Sequence, residues 1–160
     1  MDKYVTVPAG ADELKNLRAG DYVYLTGTIY TARDAAHKRL YEAAEEKKEL
    51  PVNLKNQIVY YLGPTPAREG QVIGSAGPTT SSRMDKYTPR MLSLGLKGMI
   101  GKGKRSEDVI ESMKENGAVY FAAVGGQEHF CQSVSKNLRS LRMKTWEQRQ
   151  FGSLKLRIFR

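Results

Sequence analysis

Short apolar runs of strand-like composition alternate with stretches of helical period along the first 126 residues, and that alternation narrows the chain to one class of fold. "DYVYLTGTIY" at 21–30 is rich in Tyr, Val, Thr and Ile and reads as a strand leaving the turn at Ala19-Gly20. "TARDAAHKRLYEAAEEKKEL" then takes a helical pattern. Thr31 followed by Asp34 has the form of a capping box, and the period predicts a buried stripe of Ala35, Leu40, Ala43 and Ala44. Pro51 closes the segment, and "QIVYYLGP" at 57–64 reads as a second strand stopped by Gly63-Pro64. A short helix in "TPRMLSLGL" precedes a short strand in "KGMIGKG", which runs into a glycine turn. Ser106 is placed to cap "SEDVIESMKENG", with Glu107 and Asp108 where the helix dipole favours acids. "AVYFAAVGG" at 118–126 reads as a buried strand. Strand and helix in alternation mean α/β.

The chain's 160 residues suffice for one domain with a real core. No apolar run approaches the length that crosses a bilayer, and the opening "MDKYVTVPAG" lacks the apolar stretch of a secretory signal. A cytoplasmic location is the expectation. The single cysteine, Cys131, leaves no internal disulfide and no multi-cysteine metal site within one chain. A net charge of +9 would ordinarily raise nucleic-acid binding. Its distribution argues otherwise: eight Lys/Arg against two acids follow Gly126, so a surplus of six sits in the tail and only three in the rest. Neither a nucleic-acid nor a membrane partner is expected.

Three segments share a layout of strand, tight turn, then a basic residue near a helix start. They hold Arg33, Asp34 and His37; Gly77, Thr79, Thr80 and Arg83 in "IGSAGPTTSSRMDK"; and Lys102 in "GKGKRS". Helix N-termini and glycine turns offer N–H groups to anions, and arginine grips carboxylates with two parallel bonds. Convergence of the three at one sheet edge would suit a small dicarboxylate or a phosphate. Plainer readings stand beside this one. Arg33 can pair with an acid on its own helix, His37 reads as a surface or supporting group, and the Thr/Ser run is also ordinary turn chemistry. "GKGKRS" lacks the spacing and ending of a P-loop.

Three longer stretches carry more. "GTIYTARDAAHKR", "YYLGPTPAREGQVIGSAGPTTSSRMDKYTP" and "GMIGKGKRS" closely resemble the beta subunit, or C-terminal domain, of class I iron–sulfur fumarate hydratases and the related L-tartrate dehydratases. The likeness covers about residues 1–126. It implies a swivelling β/β/α domain working with an alpha subunit that carries a [4Fe–4S] cluster on three cysteines, so that this chain would bind no cluster itself. The reaction implied is reversible hydration of fumarate to (S)-malate, with tartrate dehydration as the alternative. Carried over by motif, Arg33, Gly77, Arg83 and Lys102 would bind substrate. Thr79 would be the base, Thr80 would support it, and Asp34 joins them as a candidate catalytic residue. A neutral threonine is a poor base, so the role requires nearby cations to stabilise its alkoxide.

Past Gly126 the resemblance breaks off, and residues 127–160 form an atypical basic tail of weak periodicity. Back-translated one base earlier, "MKTWEQRQ" reads Tyr-Glu-Asp-Leu-Gly-Thr-Glu-Ala, and "FGSLKLRIF" becomes Trp-Lys-Leu-Glu-Ile-Glu-Asp-Phe. Met143 and Trp146, each with a single codon, comply. The tail therefore reads as a frameshifted remnant of the same domain, whose product would fold poorly or be inactive; a genuinely divergent basic tail is the alternative.

Overall fold

A computed structural model describes residues 2–62, 69, 77–123, 139–141 and 151–157, the last two segments as backbone. The expectations that fall on Gly74, Ser75, Cys131 and the Gly126 boundary lie outside these residues. The architecture is α/β. Strand β1 (Asp2–Val7) and a short helix α1 (Ala11–Leu14) lead into β2 (Tyr22–Thr31). Helix α2 (Asp34–Glu45), β3 (Ile58–Tyr60), a 3-10 turn (Ser81–Met84) and α3 (Thr88–Ser93) follow. β4 (Gly98–Gly101), α4 (Glu107–Asn116) and β5 (Val119–Ala122) come next, then β6 (Arg139–Leu141) and β7 (Phe151–Arg157).

Five strands run parallel. β2 pairs with β1 over its first half and with β3 at Tyr30 and Thr31, and β4 and β5 extend the sheet beyond β3. β7 lies antiparallel on the other edge of β2, with β6 outside it, so the tail contributes strands to the sheet. At the end of β1, Val7 lies opposite Gly27, where a Cβ would fall 2.1 Å from the Val7 carbonyl oxygen. Only glycine, here at φ +134, lets the two strands approach that closely.

At β3 and β4 the sheet is covered on both faces, which is why these two strands read as unbroken apolar runs. Ile58, Tyr60 and Ile100 point into a cluster closed by Val5, Leu14 and Leu25 from β1, α1 and β2. Val59, Tyr61 and Met99 point the other way, onto Leu40 of α2 and Met91 and Leu92 of α3. β5 is the exception. As the edge strand it is only half-buried, not the buried strand its composition suggested.

Helix α2 departs from expectation at its start. Thr31 stays in the β2 ladder opposite Tyr60, so it cannot cap the helix; Arg33 occupies the N-cap without a side-chain cap bond. The buried stripe is Ala36, His37, Leu40 and Ala44, while Ala35 is exposed and Ala43 half-buried. Packing against the sheet thus selects a face that includes Ala36 and His37 in place of Ala35 and Ala43, and a histidine takes a core position. Ser106 is the N-cap of α4 as expected, but without a side-chain cap bond. Its backbone N–H donates instead to Asp85 Oδ2 at 2.9 Å.

Candidate active site

Parallel strands leave their C-terminal ends side by side, and ligands of open α/β sheets bind there. Here the ends of β2, β3 and β4 carry the three segments singled out in the sequence. β2 runs directly into Arg33 and Asp34. Beyond β3, Thr79 N–H donates to the Tyr61 carbonyl at 2.8 Å, and Pro78 forms an antiparallel bridge with Leu62. Beyond β4, Thr80 forms a parallel bridge with Lys102, and Ser81 N–H donates to the Lys102 carbonyl at 2.9 Å. The Thr79–Thr80 segment thus lies as an extra rung between the strand ends.

Asp34 joins two of these segments. Its Oδ1 is 2.9 Å from Arg83 Nε, and its Oδ2 is 3.9 Å from Arg33 Nε. The carboxylate thus holds Arg83 directly and lies beside Arg33, although 49 residues separate Asp34 from Arg83 in the chain. All three side chains are part-exposed, so the pairs add little to stability and act mainly by fixing direction. Gly77 and Thr79 are half-buried, while Thr80 and Lys102 are exposed. Arg33, Asp34 and Arg83 thus meet through side chains, and Thr79, Thr80 and Lys102 through backbone.

Close packing sets the β4 end. A Cβ on Gly101 would sit 2.1 Å from Ser81 Oγ and 2.9 Å from Tyr61 Cδ2, so the 3-10 turn can lie against the strand only over a glycine. Ser81 is fully buried; its hydroxyl pairs with Tyr120 OH at 2.9 Å, and Tyr120 OH donates to the Gly103 carbonyl at 3.1 Å.

Beneath the strand ends lies a polar layer that the sequence reading did not identify. Of the two readings of His37, surface or supporting group, burial removes the first: its ring is enclosed and its Nδ1 is 2.9 Å from the Arg33 carbonyl. A carbonyl only accepts, so Nδ1 carries the proton. The ring meets Tyr61 edge-on at 5.2 Å and lies over Tyr87 at 6.5 Å. Burial, helped by the positive charge of Arg105 and opposed by the Arg33 carbonyl and Asp34, pulls its pKa down to about 4. It is neutral at physiological pH.

Arg105 is almost wholly enclosed, with 3% of its side chain exposed. Nε donates to Asp85 Oδ1 at 2.7 Å, Nη1 to Tyr61 OH at 3.0 Å and Nη2 to Thr88 Oγ1 at 2.8 Å. Thr88 spends its own proton on the Met84 carbonyl, so it accepts from Arg105 and from the Tyr61 hydroxyl. The guanidinium also lies 5.1 Å from the Tyr61 ring centre and 5.3 Å from that of Tyr120. Burial raises the Tyr61 pKa, with Arg105 and Thr88 opposing, so its hydroxyl stays protonated. The signal available in the sequence was Arg105 itself, one residue before a helix cap.

Among the described residues, no group of three or more His, Cys, Asp or Glu side chains could hold a metal ion, and no helix is long and apolar enough to cross a membrane. The donor set of these residues does not fit an iron–sulfur cluster.

Residues 3–149 match the family model described as the fumarase C-terminus, a match that runs past Gly126. A protein of Methanocaldococcus jannaschii, provisionally named L(+)-tartrate dehydratase subunit beta, is 38% identical over 117 residues, covering 71% of this chain and 60% of that protein. The aerobic class I fumarate hydratase of Salmonella typhimurium is 41% identical over 103 residues, covering 64% of this chain and 18% of the other. Fumarate hydratase 1, mitochondrial, of Leishmania major is 37% identical over 140 residues, covering 86% of this chain and 26% of the other. The chain thus corresponds to only part of the length of each relative.

Proposed function

The chain belongs to the fumarase C-terminus family, and from that premise we propose that it is the substrate-facing beta subunit of a hydro-lyase that adds water reversibly to fumarate, giving (S)-malate. What supports the reading is the convergence of Arg33, Arg83, Thr79 and Lys102 on adjacent parallel strand ends, with Asp34 holding Arg83 and lying beside Arg33. In this reading Arg33 and Arg83 grip substrate carboxylates, with Lys102 and the Gly77 backbone beside them. In the dehydration direction Thr79 takes the proton from the carbon next to the one that loses hydroxide. Its hydroxyl is too weak a base unaided, and the neighbouring cations lower the energy of the alkoxide. Thr80, in register with Lys102, holds that arrangement.

The alpha subunit supplies the [4Fe–4S] cluster, which contributes Lewis acidity toward substrate oxygens when bound. L-tartrate dehydration is the second reading, favoured by the name of the Methanocaldococcus relative. Co-expression with an alpha subunit under anaerobic conditions, followed by assays of fumarate hydration and tartrate dehydration, separates the two. Thr79→Ala is expected to lower kcat at least about 100-fold in that assembly, within the range of general-base contributions. Near-normal turnover would remove Thr79 from the base role. The shifted-frame reading of residues 127–160 is likewise a proposal, and coding DNA without a family-like alternative frame there would dispose of it.

A further inference from the structure

The buried guanidinium of Arg105 touches, directly or through one residue, every segment that carries a candidate site residue. Its own loop holds Lys102 three residues earlier. Asp85, which it binds through Nε, lies two residues after Arg83 and also receives the Ser106 N–H, so the β4–α4 loop and the 3-10 turn are tied at both oxygens. Tyr61, which it binds through Nη1, accepts the Thr79 N–H on its carbonyl. Tyr61 also packs against His37, whose Nδ1 holds the Arg33 carbonyl. A solvated surface arginine would have none of these constraints. Nor does stability explain a buried ion pair, because apolar replacements of similar volume are often as stable or more so.

We propose that Arg105 is a positioning residue: a buried cation that sets the separation and direction of the Thr79, Arg83 and Lys102 segments. Four donor contacts in three directions, to Asp85, Tyr61, Thr88 and Met99 Sδ, require the planar fork of arginine. A lysine at this place keeps the charge and loses the geometry. The inference rests on the functional reading above only for its kinetic part.

Hydrogen exchange on the full chain tests the geometric part without any activity. The reporters are the Thr79, Ser81 and Ser106 amides, bonded to the Tyr61 carbonyl, the Lys102 carbonyl and Asp85 Oδ2. In Arg105→Lys and in Asp85→Asn, exchange at Thr79 and Ser81 should accelerate at least about tenfold, while amides of the β1–β2 ladder stay within about twofold. Leu14→Ala, buried on the opposite face of the sheet, is the control for general loosening. Acceleration everywhere, as in that control, or no acceleration at Thr79 and Ser81, overturns the proposal. Should the charged-pair variants fail to fold, Tyr61→Phe removes one contact, keeps the ion pair and is read by the same criterion. In the assembled enzyme, Arg105→Lys should lower kcat about tenfold or more, and Leu14→Ala should not. A wild-type assembly inactive on both fumarate and tartrate would defeat the functional reading, and the exchange result would still decide the role of Arg105.

Discussion

His37 makes the stability of this domain depend on pH in a direction and range that can be worked out. In the folded chain its pKa is lowered from 6.5 to about 4, chiefly by burial. The groups facing it are Tyr61 and Tyr87, with Arg105 disfavouring the charged ring and Asp34 favouring it. Between pH 6.5 and 4 the unfolded chain takes up a proton that the folded chain does not. The contribution is therefore fully present above pH 6.5, falls as the pH drops, and levels off below about 4. The difference corresponds to about 3 kcal/mol, which in a chain of this size is a drop of roughly 6–12 °C in Tm. Urea unfolding of wild type and His37→Asn from pH 7 to 4 isolates the effect. Asparagine keeps a donor near the Nδ1 position but does not titrate, and other carboxylates cancel in the difference. The stability gap between the two proteins should change by about 3 kcal/mol over that range, in the sense that wild type loses more. A gap independent of pH would mean that His37 is not sealed from water as described.

Two other substitutions probe the strand ends. Gly101→Ala brings a methyl group 2.1 Å from Ser81 Oγ and against the Tyr61 ring, both enclosed, and should cost about 1–3 kcal/mol in urea unfolding. An unchanged midpoint would mean that the 3-10 turn moves aside freely. Asp34→Asn should change stability by less than about 1 kcal/mol, since its pairs are part-exposed. It should nevertheless raise the dicarboxylate KM several-fold in the assembled enzyme, and an unchanged KM would show that Asp34 does not orient the arginines.

The fold was legible where apolar runs stand alone. β3 and β4 announce themselves because both faces of the sheet are buried there, and β2 because its Tyr, Val, Thr and Ile suit a strand although Tyr22 and Thr26 are exposed. β1 was missed: it buries Val5 and Val7 in alternation with an exposed Tyr4 and Thr6, a pattern too short to stand out without its partner strand. The cap of α2 went astray because Thr31 satisfies a local capping rule, yet the β2 ladder claims it. Arg33, Arg83 and Lys102 were visible as basic residues after turns. Their mutual arrangement was not, because the Asp34–Arg83 pair and the Arg105–Asp85 pair span distances that no local pattern encodes. Arg105, Asp85 and His37 also carry polar side chains that composition assigns to the surface, and only tertiary packing reveals them as interior.

The carboxylate shared by Arg33 and Arg83 has a consequence for electroneutrality. Asp34 cancels one of the three positive charges that Arg33, Arg83 and Lys102 bring to the strand ends, leaving a formal surplus of two. A dianion restores neutrality at that edge; a monoanion leaves an uncompensated cation, and a trianion overshoots. In the proposed reading, the charge count of these four residues favours a dianion before any shape is read, most strongly at low salt, where screening over the roughly 10 Å Debye length of 0.1 M salt is relaxed.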